Sequence, residues 1–156
     1  MANISPVIRQ ATAEDVVELA VLFDAYRQFY GQAPDLPLAQ RYVSDRLAHA
    51  QSVVLVAQAP GGALAGFCQL YPTFCSVLAA PIYVLYDLFV VPAFRRHHVG
   101  KALLGAAAET GRRDGMARMD LTTAHTNTQA QRLYESMGWT EDRVFRTYTL
   151  NLVSPA

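Results

Sequence analysis

The sequence predicts an α/β or α+β domain built around a mixed sheet, and three observations carry that expectation. Apolar residues recur at spacings of three and four in some segments and alternate or run unbroken in others, so helices and strands are both present. In the second half, strand-like and helix-like segments succeed one another as βα units do. The chain has 156 residues, 52% of them apolar, enough to bury a full core without disulfide or metal staples. No repeat, low-complexity tract or linker divides it, so a single domain over residues 1–156 is expected.

Val7-Ile8-Arg9-Gln10 reads as a short strand. A helix follows, with Thr12 as N-cap and Asp15 in the capping-box position. Val16, Leu19, Leu22, Phe23 and Tyr26 then repeat at the helical period until Gly31-Gln32-Ala33-Pro34 ends the run. A second helix is expected from Leu38 to His49. Ser52 to Gln58 is rich in β-branched residues, and Ala63 to Tyr71 is its partner across the Pro60-Gly61-Gly62 turn. Ile82 to Val91 is nearly unbroken in its apolar character, as in a strand covered on both faces. Gly100 to Arg113 reads as a helix whose small residues Ala102, Gly105, Ala106 and Ala107 permit close packing, and Gly115 ends it. Arg118 to Thr123 is the next strand, Thr128 to Met137 the last helix, and Phe145 to Leu152 alternates as a final strand.

Charge and cysteine content exclude several classes of function. Thirteen basic side chains balance thirteen acidic ones, whereas nucleic acids and anionic membranes select for a basic excess. Neither partner is expected. Two cysteines make no disulfide framework, and no metal-ligand spacing such as Cys-x-x-Cys occurs, so no metal site is expected. The N-terminal residues lack the basic stretch and apolar core of a signal peptide. From Val77 to Phe94 the only charge is Asp87, but Pro81, Asp87 and Pro92 interrupt the run, so a buried strand accounts for it better than a membrane span. A soluble, cytoplasmic protein is the expectation.

The stretch from Leu85 to Leu104 carries the most chemistry. It runs apolar strand, proline turn, cationic loop, glycine, then helix. The first turn of a helix presents unpaired N–H groups and the positive end of its dipole, which suits an anion. Arg95, Arg96 and Lys101 cluster there, and Gly100 lets a ligand approach the backbone closely. Neither a P-loop nor a dinucleotide fingerprint is present. On its own the loop reads either as a phosphate cradle or as a solvated basic turn.

The loop resembles the acetyl-coenzyme A motif of the GNAT superfamily of N-acetyltransferases, Arg/Gln-x-x-Gly-x-Gly/Ala at a strand-to-helix junction. Arg95-Arg96-His97-His98-Val99-Gly100 matches it at Arg95 and Gly100, and His98 replaces the family's first glycine. That replacement leaves either an ordinary backbone at His98 or accepted strain. Downstream, Asn127-Thr128-Gln129-Ala130-Gln131-Arg132-Leu133-Tyr134-Glu135-Ser136-Met137-Gly138-Trp139 is similar to the family's Asn-x-x-Ala-x-x-Leu-Tyr-Glu-x-x-Gly-Phe segment. The resemblance follows the element order from Val7 to Leu152. It implies a GNAT-like mixed, mostly antiparallel central sheet with helices on both faces, and acetyl-coenzyme A as cofactor.

The resemblance also implies roles. Backbone groups of Leu88, Phe89 and Val90 would hold the acetyl-pantetheine arm, and amides from Arg96 through His97, His98, Val99 and Gly100 to Lys101 the pyrophosphate. Arg95 and Asn127 complete the expected coenzyme contacts, and Tyr134 matches the tyrosine that protonates the leaving sulfur. Taken alone, Tyr134 also reads as a half-buried core tyrosine on an amphipathic helix. Asp87 is the one carboxylate in the central strand. It reads equally as the base or ammonium anchor for the acceptor and as a structural carboxylate paired with an arginine or backbone N–H. The resemblance places Tyr26 and Tyr30 near the turn that lines the acceptor cleft, and with Tyr86 they are the expected acceptor contacts, since aromatic faces hold ammonium ions; the other reading of such rings is core packing.

The expected activity is acetyl transfer to a primary amine of a small molecule or amino-acid-like acceptor. A protein lysine or N-terminal acetyltransferase and a non-catalytic acyl-coenzyme A sensor are the alternatives. Relatives are often dimers, so a homodimer is the assembly the resemblance suggests.

Overall fold

Strands β1 (Val7–Gln10), β2 (Val53–Gln58), β3 (Leu64–Cys75), β4 (Ala80–Val90) and β5 (Met119–Asp120) form one five-stranded sheet in the order β1-β2-β3-β4-β5. Every neighbouring pair is antiparallel except β4 with β5, which is parallel. The computed structural model describes residues 6–153. They fall into two compact units, one ending at Thr122 and the other beginning at Thr123. The first holds the sheet with helices α1 (Val16–Phe29), α2 (Leu36–Ala48) and α3 (Val99–Arg113), and the second holds α4 (Thr128–Ser136).

Local chemistry sets the elements of the first unit. The expected capping box forms: the Thr12 N–H donates to the Asp15 carboxylate at 2.7 Å, and Arg9 grips the same carboxylate at 2.7 and 2.8 Å. A short 3-10 turn, Ala13–Asp15, precedes α1. Gly31, at φ 83°, turns the chain out of α1. Buried Asp24 accepts from Arg27, from Gln28 and from the Asp35 N–H, which ties the end of α1 to the start of α2. The second helix begins at Leu36 rather than Leu38, because the Asp35 side chain caps it by accepting from the Leu38 N–H and Pro37 fits a first turn. The Pro60–Gly62 turn closes as expected, with Gly62 at φ 92° donating to the Ala59 carbonyl at 2.8 Å.

The sheet buries both faces. Val54, Val56, Phe67 and Phe89 join Leu19, Leu22, Phe23, Ala39 and Val43 in one cluster under α1 and α2. By the pleat, Leu55, Ala57 and Cys68 point the other way, where α3 packs on β2, β3 and β4 through buried Val99, Leu103, Leu104 and Ala107. Burial pushes the Cys68 thiol up to about 12, and it behaves as a small core residue.

Three expectations are corrected. Ile82 to Val91 is not covered on both faces throughout: β4 lies one place in from the sheet edge and Tyr86 is 66% exposed. The strand expected from Arg118 to Thr123 is limited to Met119–Asp120. Phe145 to Leu152 forms no strand among the described residues, and Phe145, Tyr148 and Leu150 are exposed. Alternation makes a residue pattern suitable for a sheet, but a strand exists only where a neighbouring edge takes its hydrogen bonds.

Candidate active site

One extra residue in β4 builds the site. Gln69 pairs with Asp87 and Leu70 with Leu85, so Tyr86 is a bulge with no partner across the ladder. Before the bulge, Tyr83 faces α3, where its hydroxyl donates to Asp114 at 2.7 Å and its ring approaches Gly111. After it, Phe89 meets Phe67 and Tyr26 beneath α1 and α2. Tyr83 and Phe89 are an even number of residues apart, so an unbroken pleat would put both on one face. The bulge reverses the alternation and turns Asp87 toward α1 and α2.

Asp87 is 4% exposed, and among the described residues neither an arginine nor a lysine pairs with it. Gln69 Nε2 donates to its Oδ2 at 2.6 Å, and Gln69 Oε1 accepts from Ser52 Oγ at 2.7 Å. The Ser52 hydroxyl thereby fixes which end of the Gln69 amide faces the carboxylate. The Tyr26 hydroxyl lies within reach of the same carboxyl group and donates to the Tyr86 carbonyl at 3.2 Å. Burial raises the Asp87 pKa above the ordinary carboxylate range, and the Gln69 and Tyr26 hydrogen bonds pull it partly back. Burial and the neighbouring Asp87 charge raise the Tyr26 hydroxyl.

A cavity of about 360 Å³ opens over this carboxylate, lined by Phe23, Tyr26, Tyr42, Tyr71, Tyr86 and Asp87. The Tyr42 and Tyr71 hydroxyls bond to each other at 2.6 Å. Of the expected acceptor residues, the fold brings Tyr26, Tyr86 and Asp87 together. Tyr30 is not in the lining; it packs edge-on against Tyr26, ring centres 5.1 Å apart. Gln69 and Ser52 escaped the sequence reading. Their one trace there is polarity at strand positions where apolar residues are the rule.

Past Val84 the far edge of β4 has no strand partner among the described residues. β5 pairs only with Tyr83 and Val84. The Val91 N–H donates to Ala65 across the β3 side at 3.0 Å, so by alternation Leu88 and Val90 turn their N–H and C=O groups away from β3. Arg95 Nε donates to the Val90 carbonyl at 2.9 Å, with the guanidinium carbon 5.8 Å from the centre of the Phe89 ring. The arginine thus braces the strand end.

The loop accepts strain. His98 is left-handed at φ 59° and ψ 13°, and Arg96 lies at φ 66°. The first backbone bond of α3 runs from the Ala102 N–H to the His98 carbonyl at 3.0 Å. The N–H groups of Val99, Gly100 and Lys101 precede it and have no intrahelical partner. Arg96, His97, His98 and Lys101 have exposed side chains around them, while Val99 is buried and anchors the turn.

In the second unit, Asn127 is the N-cap of α4, its side-chain oxygen accepting from the Ala130 N–H at 3.3 Å. Gly138 ends the helix at φ 89°, and the Trp139 ring lies 6.1 Å from that of Tyr134. Among the described residues no helix is long and apolar enough to cross a membrane, and no group of three or more His, Cys, Asp or Glu could hold a metal ion.

Residues 19–139 match the model of the acetyltransferase (GNAT) family. The chain is 45% identical over 145 residues, covering 93% of it and 97% of the relative, to the uncharacterized N-acetyltransferase YhfO of Bacillus subtilis. It is 32% identical over 87 residues, 56% of this chain and 37% of the relative, to the L-ornithine N5-acetyltransferase NATA1 of Arabidopsis thaliana. A crystal structure of a probable acetyltransferase superposes with a TM-score of 0.89 at 37% identity, covering 96% of this chain and 99% of that one. The family match spans the bulged strand, the free-amide helix start and the Asn127–Trp139 segment, and the chain belongs to the GNAT family of N-acetyltransferases.

Proposed function

We propose that the chain transfers the acetyl group of acetyl-coenzyme A to a primary amine of a small molecule or an amino-acid-like acceptor. One observation carries the reading: a buried carboxylate, Asp87, floors an aromatic cavity in the same strand whose open edge presents the Leu88 and Val90 amides. The residues fit the coenzyme. Three N–H groups at the start of α3 with no partner among the described residues, ringed by Arg96, His97, His98 and Lys101, suit a diphosphate. When bound, the coenzyme supplies an activated acetyl thioester.

The chain's own groups then have three tasks. The outward N–H of Leu88 or Val90 donates to the thioester carbonyl oxygen as negative charge builds on it, with Phe89 between them holding the strand to the core. An alkylammonium with a pKa near 10.4 is neutral in only about one molecule in a thousand at pH 7.4. Asp87 therefore accepts the acceptor's proton, directly or through a water, and its raised pKa makes it a better base than an ordinary carboxylate. Tyr134 gives a proton to the departing sulfur; what supports that role is its place in the Asn127–Trp139 segment. Asn127 meets the pantetheine arm, and Tyr26 and Tyr86 meet the acceptor. The name of the ornithine-acetylating relative supports a small-molecule amine as acceptor.

The reading is tested by release of free coenzyme A thiol across a panel of amines, aminoglycosides and peptides. Tyr134→Phe lowers kcat about 100-fold or more with unchanged coenzyme A affinity by calorimetry. Undiminished turnover in that variant removes Tyr134 as the acid.

A further inference from the structure

The cavity over Asp87 restricts the acceptor more narrowly than to primary amines in general. Its lining has a single carboxylate and five aromatic rings and, among the described residues, no Lys, Arg, His, Glu or second Asp. We propose that it accepts a singly charged primary ammonium carried on a compact apolar or aromatic body, the ammonium at Asp87 and the body against the rings. As a statement about the acetyl acceptor, this specificity rests on the acetyl-transfer reading of the site.

Charge comes first. A buried carboxylate with Gln69 and Tyr26 as its hydrogen-bonding partners has no cation of its own, and one ammonium supplies the missing charge. A ring whose face meets the cation would add attraction to it. A second ammonium would find no carboxylate in the lining. A substrate carboxylate would enter beside Asp87 with no cation in the lining to meet it. Arg46 is not in the lining; it lies over the Tyr42 ring, its guanidinium carbon 4.5 Å from the ring centre, and its charge reaches the Tyr71 hydroxyl from there.

Hydrogen bonding and size point the same way. The Tyr42 and Tyr71 hydroxyls are bonded to each other, which leaves one of their two protons to donate, and the Tyr26 hydroxyl donates to a backbone carbonyl, so the lining is mainly ring surface with few free donors. A sugar, which needs a dense set of polar partners, is poorly served. At ~30 Å³ per water-sized group, about 360 Å³ has room for an arylalkylamine, with the cavity open to solvent on one side.

Calorimetric titration of the full chain without coenzyme tests the proposal with phenethylamine, the neutral phenethyl alcohol, the dication putrescine and the zwitterion phenylalanine. Phenethylamine binds about tenfold or more tightly than each of the other three. Asp87→Asn erases most of its advantage over the alcohol. Tyr86→Leu, at an exposed bulge that other residues can occupy, weakens phenethylamine about threefold with unchanged thermal unfolding. Equal binding of the alcohol, the diamine or phenylalanine overturns the proposal. Acetylation of putrescine as efficient as that of phenethylamine overturns it too, while leaving the acetyltransferase reading intact. The expected binding order with no acetyl transfer to any amine would instead overturn that reading and keep this one.

Discussion

His98 and Asp87 are both held at a local cost, and both lie where the chemistry is concentrated. A left-handed backbone costs a residue with a Cβ roughly 1–2 kcal/mol, and His98 accepts that at φ 59°, on the residue that opens α3. The left-handed turn there sets the direction in which α3 starts, ahead of the Val99, Gly100 and Lys101 amides. A glycine would relieve the strain but give back some conformational entropy in the unfolded chain. The net expectation for His98→Gly is a gain of about 0.5–1 kcal/mol, or a Tm higher by about 2 °C. A lower Tm in a thermal melt would show that His98 makes a compensating contact.

At the scale of single elements, α1 depends on its first turn and β3 on one close approach. Arg9, reaching from β1, is the main reason the Asp15 carboxyl titrates at about 2 rather than near 3.8, with the Thr12 N–H assisting. A carboxylate depressed on folding stabilises fully above its unfolded pKa, and that stability is lost as pH falls toward the folded value. Allowing for screening at the partly exposed Arg9, Asp15→Asn should cost about 1–2 kcal/mol at pH 7. Denaturant unfolding should show the gap to the parent closing between about pH 4 and pH 2, and a constant gap would assign the loss to something other than charge. In β3, a Cβ at Gly66 would stand 2.6 Å from the Phe89 carbonyl oxygen, so only glycine lets β3 approach β4 there without a shift.

At the scale of the whole first unit, Asp87 is positioned by groups from four elements: Ser52 just before β2, Gln69 on β3, Tyr26 on α1, and the bulge in β4 itself. Gln69 holds the Asp87 pKa down against the larger effect of burial. Removing that amide lets burial act unopposed, so the pKa rises further. If Asp87 is the base, the acid limb of the kcat/KM profile against pH lies above the ordinary carboxylate range and moves to higher pH in Gln69→Leu. An unmoved limb in a folded variant excludes Asp87 as the group that limits activity at low pH.

Much of the fold is legible in the chain for physical reasons. Capping at Thr12 and Asp15, the Gly31 stop, the Pro60–Gly62 turn and the helix after the basic loop depend on neighbours close in sequence, so local rules read them correctly. The Asn127–Trp139 helix is readable for the same reason. Phe145 to Leu152 misleads because a strand needs a distant edge, and residue alternation says nothing about whether one is supplied. The bulge at Tyr86 is invisible in the residue order: an inserted residue is defined only by the partner strand it fails to match.

Residue order alone therefore determined the element types up to Trp139, the cationic helix start and the family. The tertiary structure decided which face Asp87 occupies, which side chains surround it and that, among the described residues, no cation lines its cavity. The reason is that pleat parity and burial are properties of paired strands and packed faces, and those arise only when segments far apart in the chain meet.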